Sequence, residues 1–154
     1  MANTYTQIHI HVVFAVQNRV SLIQRTWQTQ LYNYIITIIQ KYGHKVLSIG
    51  GMSDHIHILF GFRPTQALSN LIQEVKRDSS EWINRQCLTM GRFSWQEGYC
   101  AFSYSKSHIM QVAKYIERQE EHHKKKTFID EYKQILKDFD LEYDEKYIFK
   151  PIEE

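Results

Sequence analysis

Two segments of the chain carry histidines in the pattern His-Ile-His: "QIHIHVVF" at residues 7–14 and "SDHIHILFGF" at residues 53–62. On a β-strand, the two imidazoles of such a pair leave one face about 6.5–7 Å apart at Cα, close enough to converge on one metal ion. Two imidazoles seldom complete a metal site, so a further donor has to come from elsewhere in the chain. Taken alone, either pair reads first as two polar side chains on a partly solvated sheet face. The downstream segment "SHIMQVAKYIERQEEHHKKK" supplies what is missing. Tyr115 and Gln119 are four residues apart and share one helical face, beside an apolar face of Ile109, Val112, Ala113 and Ile116. The amide oxygen of Gln119 suits a hard divalent ion, and the hydroxyl of Tyr115 becomes a nucleophile once deprotonated. A phenol of ordinary pKa, about 10, is neutral at pH 7, so a metal or base must assist.

These groups need elements to hold them. From Thr6 to Val16 the even positions Ile8, Ile10, Val12, Phe14 and Val16 are apolar, while the odd ones begin Gln7, His9, His11. That alternation predicts a strand with one face in a core. Trp27, Leu31, Tyr34, Ile35, Ile38 and Ile39 recur at helical spacing, and Gly43 is a helix-ending cap. "HKVLSIG" reads as a second strand, Gly50-Gly51 as part of a turn, and "HIHILFGF" as a third strand. Pro64 and Thr65 are expected to open a second helix with a buried stripe of Ala67, Leu68, Leu71, Ile72, Val75, Ser79, Trp82 and Ile83. "CAFSYS" is a short fourth strand. Ser107 is a candidate N-cap for a helix to about Lys125, and a last helix covers roughly 128–139. The order β-α-β-β-α-β-α plus a C-terminal helix is that of an α+β, ferredoxin-like (RRM-like) antiparallel sheet. Its two main helices would cover one face, leaving the histidines on an open one. Residues 1–139 are expected to form one catalytic domain, with 140–154 an acidic tail.

Composition narrows the classes. The chain has 154 residues, a formal charge of +2, and few Gly and Pro, which fits one folded domain and neither demands nor excludes an anionic partner. Cys87 and Cys100 have no CxxC spacing, and no apolar run approaches the ~20 residues that span a membrane. With no signal-like leader before Tyr5, a cytoplasmic protein is expected.

The segments "YTQIHIHVVFAVQNR", "SDHIHILFGF", "FSWQEGYCAFSYSKS" and "VAKYIERQEEHH", in that order, resemble the HUH-superfamily single-tyrosine transposases of the insertion sequence 200/605 type. That family includes relatives associated with repetitive extragenic palindromes. The resemblance runs from about Tyr5 to Tyr132. It implies that His55 and His57 are metal ligands, Gln119 the third protein ligand and Tyr115 the nucleophile. It further implies Mg²⁺ or Mn²⁺ as cofactor, single-stranded DNA with hairpin ends as substrate, and a 5′-phosphotyrosine intermediate that is later reversed at a new junction. Two imidazoles suit Mn²⁺ better than Mg²⁺, which prefers oxygen donors. Many members are homodimers, whereas palindrome-associated relatives can act as monomers. Asp54 could orient an imidazole from behind. His9, His11 and His122 are candidates for that role or for DNA contact. Lys76, Arg77, Arg85, Arg92, Lys106, Lys114, Arg118, Lys124, Lys125 and Lys126 are candidate DNA-binding residues, since clustered cations grip phosphates. Two other functions fit the same fold: a domesticated nuclease acting on chromosomal hairpins, and a non-catalytic module that binds single strands.

Overall fold

The computed structural model describes residues 4–119 and 128–138. Its elements are β1 (His9–Ala15), α1 (Arg25–Lys41), β2 (Lys45–Met52), β3 (His55–Gly61), α2 (Leu68–Arg85), β4 (Cys100–Ser103), α3 (Ile109–Glu117) and α4 (Phe128–Asp138). The four strands form one antiparallel sheet in the order β2-β3-β1-β4. The fold is the α+β, ferredoxin-like arrangement that the element order predicts. No helix among the described residues is long and apolar enough to cross a membrane. The tail expected at 140–154 lies outside the described residues.

The main core follows from the periodicities. Val12 and Phe14 of β1 and Ile56, Ile58 and Phe60 of β3 point to one face. There they meet Trp27, Leu31, Ile35 and Ile39 of α1 and Leu71, Ile72, Val75 and Ile83 of α2. Gly43, at φ +91, ends α1, and its N–H donates to the Gln40 carbonyl at 3.0 Å.

The other face is not open. Val13, Ala15 and Phe102 pack with Ile129 and Ile135 of α4, and Leu59 packs with Val112 and Ile116 of α3. The strands are therefore buried on both sides, which the unbroken run "VVFAV" in β1 already encodes. Three expected boundaries also move. Gly50 and Gly51 belong to β2, and the turn falls at Ser53-Asp54. A Cβ on Gly50 would lie 2.2 Å from the carbonyl oxygen of Ile116, so this glycine lets α3 rest directly on the sheet. Ser48 Oγ donates to the Ala113 carbonyl at 3.1 Å, adding a second tie between β2 and α3. α2 begins at Leu68 rather than Pro64, because His44 holds the intervening turn: its Nδ1 accepts the Arg63 N–H at 3.0 Å and its Nε2 bonds Gln66 Oε1 at 2.9 Å. α3 ends at Glu117, with Arg118 at φ −102, ψ 25, so the helix expected to reach Lys125 breaks early. Ser107 does not cap it; a short 3-10 turn, Lys106–His108, leads in.

Candidate active site

β3 carries His55 and His57 on the face beneath α3 and α4, and the antiparallel register brings His11 of β1 diagonally beside His57. All three imidazoles are fully buried. Burial strips water from polar rings, so each nitrogen needs a partner. His55 Nδ1 lies 2.7 Å from Asp54 Oδ1, and its Nε2 lies 3.2 Å from Gln119 Oε1. His57 Nδ1 lies 2.8 Å from His11 Nε2, and its Nε2 lies 3.0 Å from Glu131 Oε1. His11 Nδ1 continues the chain to the Tyr104 hydroxyl at 3.4 Å. Both β3 histidines are thus held from behind through Nδ1, with Nε2 directed toward Gln119 and Glu131. A His57 with a bare Nε2 carries its proton on Nδ1, donating to His11, which then donates from Nδ1 to Tyr104.

Tyr115 stands edge-on to His57, with ring centroids 5.9 Å apart. Glu131 and Gln119 are polar neighbours of its hydroxyl. Although α3 ends at Glu117, Gln119 stays one turn from Tyr115: its Nε2 donates to the Tyr115 carbonyl at 3.4 Å, and the residue is 1 % exposed. The pairing expected from the four-residue spacing therefore persists through the helix break.

The electrostatics follow from burial and neighbours. Burial first, and then the charge of Glu131, hold the Tyr115 phenol well above its ordinary value. Burial, followed by the charge of His57, pushes His11 well below its ordinary value. Burial alone would raise the Asp54 carboxyl, but its hydrogen bond to His55 and the charges of His55 and Arg19 hold it lower.

Ligand atoms of His55, His57 and Glu131 all lie within 4.8 Å of one another, a group that could hold a metal ion. The donor chemistry fits a divalent cation: two imidazole nitrogens, a carboxylate oxygen and the nearby amide oxygen of Gln119. The carboxylate makes the set harder than a histidine pair and so friendlier to Mg²⁺ and Mn²⁺.

Glu131 is the participant that sequence reasoning missed. It is 5 % exposed, and its only sequence signal is position: it lies four residues before Ile135 and so shares the apolar face of α4. Tyr104, in the fourth-strand segment, was likewise unassigned.

The remaining candidates scatter. His9 shares the strand face of His11 but lies at the start of β1, lining a different cleft. Lys76 turns inward, donating to the carbonyls of Gln96 (2.8 Å) and Gly98 and lying over the Phe14 ring. Its burial brings the ammonium down to about 8, and it braces the loop before β4. Arg77 pairs with Glu74 and Asp78. Arg85 and Arg92 are exposed and line a cleft of about 590 Å³ with Met90 and Cys87. Lys106, Lys114 and Arg118 are exposed beside or on α3. His122, Lys124, Lys125 and Lys126 lie outside the described residues. Neither Cys87 nor Cys100 forms a disulfide among the described residues.

Comparison with known proteins bears on the fold and the family. The ISDra2 transposase TnpA of Deinococcus radiodurans is 25 % identical over 118 residues, covering 73 % of this chain and 84 % of its own. A transposase crystal structure from Deinococcus radiodurans R1 superposes with a TM-score of 0.61 at 19 % identity, over 77 % of this chain and 95 % of that one. The REP-associated tyrosine transposase bound to a REP hairpin gives a TM-score of 0.60 at 14 % identity, over 80 % of this chain and 73 % of its own. These two likenesses concern the fold. The model of the IS200-like transposase family matches residues 4–119, three of the four groups around the candidate metal position included, and the chain belongs to that family.

Proposed function

We propose that this transposase cleaves and rejoins single-stranded DNA through Tyr115, with a divalent ion, Mg²⁺ or Mn²⁺, held by His55, His57 and Gln119 together with Glu131. The observation that carries this reading is the convergence of one phenol, two imidazoles, an amide and a carboxylate on a single buried face. When bound, the ion supplies Lewis-acid polarisation of the scissile phosphate and positive charge beside the phenol. The phenolic oxygen attacks phosphorus, forming the 5′-phosphotyrosine bond. The bond to the 3′ oxygen breaks, and that oxygen leaves as a hydroxyl after taking up a proton. Because the linkage keeps the phosphodiester energy, attack by another 3′-hydroxyl reverses the step and no nucleotide cofactor is needed.

The residues behind the ligands have definite work in this scheme. Asp54 and His11 fix the rotation of His55 and His57, so that neither ring has to reorganise when substrate arrives. Burial and the Glu131 carboxylate favour the neutral phenol, so the charge of a bound ion would have to offset both before the oxygen attacks.

The proposed substrate is a hairpin-bearing single strand, a reading supported by the REP hairpin bound to one structural relative. A homodimer is the proposed assembly, checked by light scattering of the protein free and with hairpin DNA. The reaction itself is tested with labelled single-stranded element ends and Mn²⁺. Wild type should form a protein–DNA adduct that chelation abolishes, and Tyr115→Phe should form none. No adduct from wild type on cognate DNA would favour the non-catalytic binding module.

A further inference from the structure

A second concavity lies where β1 and β2 begin and β3 ends. It has a volume of about 730 Å³, and Tyr5, His9, Lys45, Phe62 and Arg63 are among the residues lining it. None of the lining residues is Asp or Glu. Lys45 and Arg63 are both exposed, and neither is ion-paired among the described residues. Tyr5 is 90 % exposed, an unusual position for a large aromatic unless it meets a partner.

Phe62 and Arg63 of the lining are both held by His44. His44 stacks on Phe62 at 5.0 Å and 11° between planes, and the backbone N–H of Arg63 is bonded to the same imidazole. A preorganised aromatic and cationic surface loses little freedom on binding. The cleft is also aligned with the active site. His9 lines it, and His11, whose ring is bonded to His57, lies two residues further along the same strand face, about 7 Å away.

We propose that this cleft binds unpaired nucleotides of the DNA strand, with Lys45 and Arg63 holding phosphates and Tyr5 stacking on a base. Cations without counter-ions attract any polyanion, but an exposed phenol ring beside them selects one that presents flat, unpaired bases. Duplex DNA keeps its bases stacked on one another and offers Tyr5 no such partner. The proposal rests on the transposase reading for the identity of the strand, although the cleft lies outside the catalytic groups.

The test is fluorescence anisotropy with two probes, oligothymidylate and a blunt duplex of equal length. Wild type is compared with Tyr5→Ala and with the double variant Lys45→Ala/Arg63→Ala. These side chains are exposed, and thermal melting checks that each variant is folded. Both variants should bind oligothymidylate about tenfold more weakly; Tyr5→Ala should change duplex affinity by less than about twofold, and the double variant should lose less on the duplex than on oligothymidylate. The double variant should also have a shallower salt dependence, by about 1.4 in the log–log slope. Unchanged oligothymidylate binding, equal losses for both probes, or a change confined to self-association in light scattering would each overturn the proposal. The Tyr115 adduct assay separates the two readings. An adduct from wild type, with single-strand binding unaffected by the variants, removes the cleft and leaves the chemistry. Cleft-dependent binding without any adduct removes the chemistry and leaves the cleft.

Discussion

Among the described residues, eighteen buried apolar side chains form one cluster on the α1/α2 side of the sheet, whereas the α3/α4 side has two clusters of three beside the buried His11, His55, His57, Gln119 and Glu131. At about 1.5–3 kcal/mol for each large apolar side chain fully buried, the described residues of the first side supply more hydrophobic stabilisation than those of the second. Polar groups on the second side lose their hydration and recover it only through one another. The comparison assigns stability to one face and chemistry to the other. It also makes α3, with Tyr115 on it, the element that should open first.

The largest test of this division replaces one buried isoleucine on each side. Ile35→Ala, in the main core, should lower global stability by about 2–5 kcal/mol in chemical denaturation. Ile116→Ala, equally buried, should cost less than half as much globally, while α3 amides exchange faster with solvent. Equal global losses for the two variants would erase the distinction between the faces.

A smaller effect is expected at the contact where α3 meets the sheet. In Gly50→Ala the new Cβ would start 2.2 Å from the Ile116 carbonyl oxygen, so α3 has to lift. Stability should fall by about 1–3 kcal/mol. Adduct formation should fall about tenfold or more, because displacement of Tyr115 by an ångström spoils its alignment. A variant as active as wild type would show that the close approach has no bearing on the nucleophile.

The smallest effect concerns pH. The Asp54 carboxyl is held below its ordinary 3.8, despite burial, chiefly by its hydrogen bond to His55. A carboxylate with a depressed folded-state pKa stabilises the protein fully above the unfolded-state value, and loses that contribution as pH falls through the folded-state value. Wild type should therefore exceed Asp54→Asn in stability near neutrality, and the gap should narrow below about pH 4. Denaturant midpoints across that range measure it; a gap independent of pH would remove the interaction with His55.

Much of this division was legible in the residues. Period-2 and helical spacing identified the strands and helices of the main core, and the family motifs singled out His55, His57, Tyr115 and Gln119. What escaped were features set by tertiary contact. Gly50-Gly51 carries a turn signal, yet the glycine is needed for the approach of a helix backbone. "VVFAV" encodes a strand covered on both sides, but the histidines preceding it suggested a solvated face. Glu131 is an ordinary helical acid until α4 docks and brings it to His57 and Tyr115. α3 carries no glycine or proline at its end, and it stops where Gln119 is drawn toward His55.

Two tyrosines enter the site, Tyr115 beside Glu131 and Gln119, and Tyr104 beside His11. Mass spectrometric mapping of the protein–DNA adduct formed with Mn²⁺ separates them directly. The account predicts a nucleotide linked to the peptide containing Tyr115 and to no other tyrosine. Attachment at Tyr104, or an adduct that persists in Tyr115→Phe, would contradict it.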